Sequence, residues 1–181
     1  MTYAATYPND VAGLVLLDSM SPHQFTLVPS YPGQYEMIRR LYGILAPLSR
    51  LGFGPLLADA PVDLPGIAAA QQHAIQTSSA NYDTARDEVS LYHQSLEQAQ
   101  ALTSLDNTPL VVLTTTESMT KSPDWSAAQD ELAALSTNSS HRIVDTTHVG
   151  LLVSSAGSDA SVRAIIDVVT AVRAGSPVAA R

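Results

Sequence analysis

The sequence predicts an α/β fold built on parallel strands, and three observations carry that expectation. Residues 11–17 (VAGLVLL), Leu110–Thr115 and residues 141–144 (HRIV) are short runs rich in leucyl and β-branched residues, bounded by polar or turn residues as buried parallel strands are. Between and after them lie stretches whose apolar residues recur every three or four positions, the period of a helix packed on one face. Each run also leads into polar, reactive residues: Asp18-Ser19, Thr116-Glu117-Ser118, and Asp145-Thr146-Thr147 before His148. In an open α/β sheet the carboxyl ends of the strands are the edge where loops converge over a ligand. Strand and helix alternating in this way imply right-handed crossovers.

In chain order, MTYAATY places small and aromatic residues at helical spacing, like the last turns of a helix, and a strand follows almost at once. The chain is therefore expected to begin in mid-domain. Residues 21–108 are far longer than a crossover requires. They start Pro-rich and turn helical, with Met37, Ile38, Leu41, Leu45 and Leu48 in one apolar stripe and Arg39 and Arg40 outside it. Gly52, Gly54, Pro55, Pro61 and Pro65 break this stretch into pieces. A further helix covers about 82–102. Such an insertion over the ligand edge is a lid or cap, and a plain second subdomain fits the pattern equally well.

After the second strand, residues 125–135 set Trp125, Ala128, Leu132 and Leu135 on one helical face, with Gln129, Asp130 and Glu131 turned away. Residues 160–173 repeat the spacing with Val162, Ile165, Ile166, Val169 and Val172, and Gly175 with Pro177 stops the helix. The expected organisation is a core of residues 1–20 and 109–175, an insertion of 21–108 and a frayed tail of 176–181. No internal repeat is present.

Composition narrows the function classes. The 181 residues are 45% hydrophobic and 14% charged, enough to bury a core and too little charge to hold the chain open. A net charge of -8 and a pI near 4.8 repel phosphate backbones, so nucleic acid is not an expected partner. Cysteine is absent, which removes disulfides, a thiol nucleophile and thiolate metal ligands. No run approaches the ~18 apolar residues of a membrane span, and the first eight residues lack the form of a signal peptide, so the chain reads as soluble.

Among titratable residues, His148 stands at the mouth of the sheet, where a neutral imidazole suits a general base; its competing reading is a histidine hydrogen-bonded in a loop. His23, His73, His93 and His141 form no pair at metal-ligand spacing and no HExxH frame, so no metal is expected. Asp18 ends its strand where a carboxylate can orient an imidazole, or can simply cap the turn before Pro22. Glu117, after the next strand, is the alternative acid, set in the longer TTTESMTKSPD loop, or else a solvated loop residue. Ser19, Ser21 and Ser118 read as turn residues, because none lies in a G-x-S-x-G frame.

The succession YAATYPNDVAGLVLLDSMSP, an inserted helical segment, PLVVLTTTES, QDELAALS and HRIVDTTHVGLL resembles the C-terminal part of the α/β-hydrolase fold, closest to its esterase-like members. The resemblance covers nearly the whole chain. It implies a catalytic order of Ser, then Asp or Glu, then His, with His148 as base and Asp18 or Glu117 as acid; the tighter LVLLDS turn favours Asp18. The nucleophile elbow and oxyanion loop lie upstream of such a segment in the family, so this chain is expected to have almost no activity alone. The implied substrate is a small ester-like molecule, with no cofactor. A non-enzymatic binding module using a pocket of the inserted segment is the alternative, and a phosphate-binding α/β domain is weaker because no glycine-rich loop follows a strand. In the family the first strand pairs on its far side with the strand bearing the nucleophile. Without that neighbour, VAGLVLL leaves an uncharged edge that is expected to drive self-association.

Overall fold

A computed structural model describes residues 1–57, 64 and 66–179 of the chain. It divides into two compact units, Met1–Pro29 with Ser95–Arg181, and Ser30–Gln94. Residues 21–29 and 95–108 therefore pack with the sheet rather than with the inserted helices.

The first unit is a three-stranded parallel sheet in the order β1 (Leu14–Leu17), β2 (Leu110–Thr115), β3 (Ser139–Val144). Its elements follow as α1 (Thr2–Thr6), β1, α2 (Gln24–Leu27), β2, α7 (Thr116–Lys121), α8 (Trp125–Ala133), β3, α9 (Gly150–Val153) and α10 (Ser155–Ala174). The pleat sorts the strand residues between two cores. Val15, Leu17, Val111 and Leu113 pack with Leu151, Ala164, Val168 and Ala171 on the α10 side. Leu14, Leu16, Leu110 and Val112 pack with Ala4, Leu102, Leu105 and Leu132 on the α1 and α8 side. β2 is buried from end to end, and β1 and β3 are the two edges.

The second unit is helical: α3 (Tyr31–Leu48), a wide turn over Ser49–Phe53, α4 (Gly54–Leu57), α5 (Ile67–Gln76) and α6 (Ser79–Ala99), whose last turn enters the first unit. Gly52 sits at φ 92 in the wide turn, a conformation that a residue without Cβ adopts freely. Pro47 lies inside α3, whereas Pro61 and Pro65 fall outside the described residues. Met37, Leu41 and Ile44, one stripe of α3, are exposed.

Local chemistry moved several boundaries. Strand pairing begins at Leu14 rather than at residue 11, because Pro8–Asp10 forms a 3-10 turn and the Leu14 N–H makes the first ladder bond, 2.9 Å to the Pro109 carbonyl. β3 begins two residues early, at Ser139, a residue type with little strand preference. α10 begins at Ser155 because the Ser154 hydroxyl accepts the Gly157 N–H and caps it.

Three sequence expectations need correction. The inward face of α10 is Gly157, Ser161, Ala164, Asp167, Val168 and Ala171, while Val162, Ile165, Ile166, Val169 and Val172 are exposed. Small inward residues let the helix sit close to the sheet, and Asp167 is paired there with Arg142 at 2.8 Å. Gln129 is not turned away but wholly buried, its amide donating to the Ser19 carbonyl at 2.7 Å. Glu117 lies in a helix rather than a loose loop, because the Thr115 hydroxyl caps α7 by accepting the Ser118 N–H.

Candidate active site

Three strand ends converge on one carboxylate. Asp18 follows β1 directly, and its N–H donates to the Leu113 carbonyl at 2.6 Å, which fixes it to the end of the sheet. Its backbone is left-handed at φ 48, a region that Asp enters more readily than most residues and that aims the side chain differently from a continuing strand. The residue is 1% exposed.

Such a carboxylate is costly to bury unless its oxygens are satisfied, and five donors satisfy them. Oδ1 accepts from the Trp125 indole N–H at 2.9 Å and the Thr115 N–H at 3.3 Å. Oδ2 accepts from the Ser118 hydroxyl at 2.5 Å, the Thr115 hydroxyl at 3.0 Å and His148 Nδ1 at 2.9 Å. Burial alone pushes the Asp18 carboxyl up. The hydrogen bonds from His148, Ser118, the Thr115 backbone and Trp125 outweigh it and hold the group below its ordinary 3.8.

His148 reaches this carboxylate from the loop after β3. Thr147 Oγ1 accepts the Gly150 N–H at 2.9 Å and so shapes the turn. Gly150 is crowded there, since a Cβ would strike the Thr146 and Thr147 hydroxyls unless they turned away. The imidazole itself is 61% open to solvent, although its partner is sealed. An ionised carboxylate only accepts, so the proton bonded to it sits on Nδ1, and in the neutral ring Nε2 is left with the lone pair. The Asp18 hydrogen bond raises the imidazole above its usual 6.5 against the opposing effect of partial burial.

Glu117 also meets His148, at the backbone and not at the ring. Its Oε2 accepts the His148 N–H at 2.9 Å while Oε1 pairs with Lys121 at 2.7 Å. The hydrogen bonds from Lys121 and the His148 backbone lower its carboxyl. Of the two candidate acids, then, Asp18 touches the imidazole and Glu117 steadies the loop that presents it.

The remaining candidates, Ser118 apart, lie elsewhere. Ser21 is buried and donates to Glu131, whose other oxygen meets His23 Nδ1 at 2.7 Å. His141 bridges Thr114 at 2.7 Å and Asp130 at 2.8 Å. His73 and His93 belong to α5 and α6. Ser19 offers its carbonyl to Gln129. Ser118 is within the cluster as a donor to Asp18 and is not a turn residue. Among the described residues, no three His, Cys, Asp or Glu side chains group as metal ligands, and no helix is long and apolar enough to cross a membrane.

Sequence reasoning did not find Thr115, Ser118 or Trp125 as partners of Asp18. Trp125 offered one clue: it is the single tryptophan, and a buried indole N–H needs an acceptor. No family model matches the chain, and neither a curated protein nor a solved structure matches it.

Proposed function

We propose that Asp18 and His148 are the acid and base of a serine-type α/β hydrolase acting on ester-like acyl bonds. The observation that carries this reading is the clamped, ionised Asp18 carboxylate holding Nδ1 of a solvent-open imidazole at the carboxyl edge of a parallel sheet. In the proposed reaction a serine hydroxyl attacks the acyl carbon and gives its proton to His148 Nε2. The imidazolium then protonates the departing alkoxide, and a water repeats the sequence to release the acid and regenerate the serine. Asp18 orients the ring and stabilises its charged form without taking the proton. The sequence has no G-x-S-x-G frame, so the reading requires a nucleophile from outside these 181 residues. The small-molecule ester substrate, and the insertion acting as a lid, are parts of the same proposal.

The test is hydrolysis of a chromogenic ester by the chain joined to the codons that precede it in frame. His148→Ala should lower turnover by about 10^3- to 10^4-fold, the scale of losing a triad member. Turnover close to that of the parent would refute the assignment, as would upstream codons that encode no nucleophile elbow.

A further inference from the structure

A cavity of about 290 Å³ in the first unit shares no residue with the Asp18 and His148 cluster. Pro22, Leu102 and Leu135 give it apolar walls, and His23 and Glu131 of α8 set an imidazole and a carboxylate among them. These two groups are held from behind. Glu131 Oε1 meets His23 Nδ1 at 2.7 Å, while Oε2 accepts the hydroxyl of Ser21, a fully buried residue. The same hydroxyl accepts the His23 N–H at 3.0 Å, and the Ser21 N–H donates to Gln24 Oε1 at 3.1 Å. Carboxylate, imidazole and backbone thus close a ring of hydrogen bonds, so a ligand that meets Glu131 has little side-chain freedom left to freeze.

The donors of these groups are already engaged. A carboxylate only accepts, so the proton between Glu131 and His23 sits on Nδ1, and Nε2 is an acceptor in the neutral ring. Gln100, also on the lining, turns its Nε2 to the Pro22 carbonyl at 3.1 Å and leaves Oε1 to accept. The Thr103 hydroxyl can serve either way. Among the described residues no Lys or Arg lines the cavity, and the chain as a whole carries a charge of -8. Fixed acceptors and a carboxylate set in apolar walls suit a ligand that brings donors, positive charge and hydrocarbon together.

We propose that this cavity is a binding site for a small organic cation, a primary ammonium on a compact apolar body, with Glu131 as its counter-ion. Its volume stands near the lower end for small-molecule sites and limits the body to about one ring. An ammonium has several donors to share among the Glu131 oxygens, which keep unused lone pairs, while its hydrocarbon covers Leu102 and Leu135. An alcohol of the same shape meets the acceptors without the charge, and a carboxylate is repelled. The inference does not rest on the catalytic reading, and its readout is binding rather than turnover.

Titration of the full chain with phenethylammonium, followed by amide NMR, should give saturable shifts at Thr103, Ala134 and Leu135, with a Kd of about 0.1–10 mM for a ligand of so few atoms. Phenethyl alcohol should bind about tenfold more weakly, since it forms no charge-assisted hydrogen bond, and phenylacetate should not bind. Glu131→Gln keeps the shape without the charge and should weaken the ammonium by about tenfold. Should that variant loosen Ser21 and His23, Ala134→Phe fills the cavity with Glu131 intact, and it should abolish the shifts with the circular dichroism spectrum unchanged. Absence of saturable shifts up to about 10 mM overturns the proposal. Equal affinity for the alcohol overturns it as well, and so does binding undiminished in a folded Glu131→Gln or Ala134→Phe chain.

Discussion

A carboxylate surrounded by five donors cannot become an amide without turning some of those contacts against it. Asp18→Asn keeps a side chain that tolerates the left-handed backbone, so its effects report on charge and hydrogen bonding. It should bring the His148 imidazole down from its raised value, because the group that stabilises the imidazolium is gone; NMR titration of the histidine ring reads this, and an unmoved value would sever the coupling. The pH dependence has two signs. His148, raised in the fold, contributes stability below its unfolded 6.5 and loses it as pH climbs through the folded value. Asp18, lowered in the fold, contributes above 3.8 and loses that as pH falls through its folded value. Thermal melts should therefore show both contributions together from above pH 3.8 to below pH 6.5, and Asp18→Asn should flatten that window. In the active enzyme proposed above, Asp18→Asn should cost far more turnover than Glu117→Gln, since Glu117 reaches only the His148 backbone. The reverse ranking would hand the acid role to Glu117.

The helices respond to glycine replacement in opposite senses. Gly157 in α10 approaches the Gly150 backbone so closely that a Cβ would collide with the Gly150 carbonyl. Alanine gains about 1 kcal/mol of helix propensity, but backbone cannot yield as a flexible side chain can, and the clash should cost about 1–3 kcal/mol beyond that gain. Gly43 in α3 meets nothing, so Gly43→Ala should stabilise by about 0.5–1 kcal/mol. Denaturant melts with unchanged slopes check both. The same elements mark how far the sequence could be read. β2 was legible to the residue because a fully buried strand is a plain apolar run with polar limits. α10 was legible as a helix, yet its buried side was not, because periodicity locates an apolar stripe without saying that Gly157, Ala164 and Ala171 face the sheet. Asp18 and His148 stood out because strand ends announce themselves. Thr115, Ser118 and Trp125 did not, since only the packing of α7 and α8 brings them to one carboxylate.

At the scale of the molecule, every hydrogen-bond partner described for the Asp18 and His148 side chains belongs to the unit formed by Met1–Pro29 and Ser95–Arg181. Replacing residues 30–94 by a short flexible linker should therefore leave the His148 titration raised, measured by NMR on the shortened chain. A value fallen to that of a free imidazole would mean that the inserted helices sustain the pair.

The unequal edges of the sheet also set the direction in which it can widen. A margin fringed with serine, histidine and arginine turns a neighbour away, whereas the uncharged leucine and valine margin of β1 receives one. Among the described residues, then, any further strand, whatever its source, joins beside β1, and the opposite border stays the outer limit of the sheet.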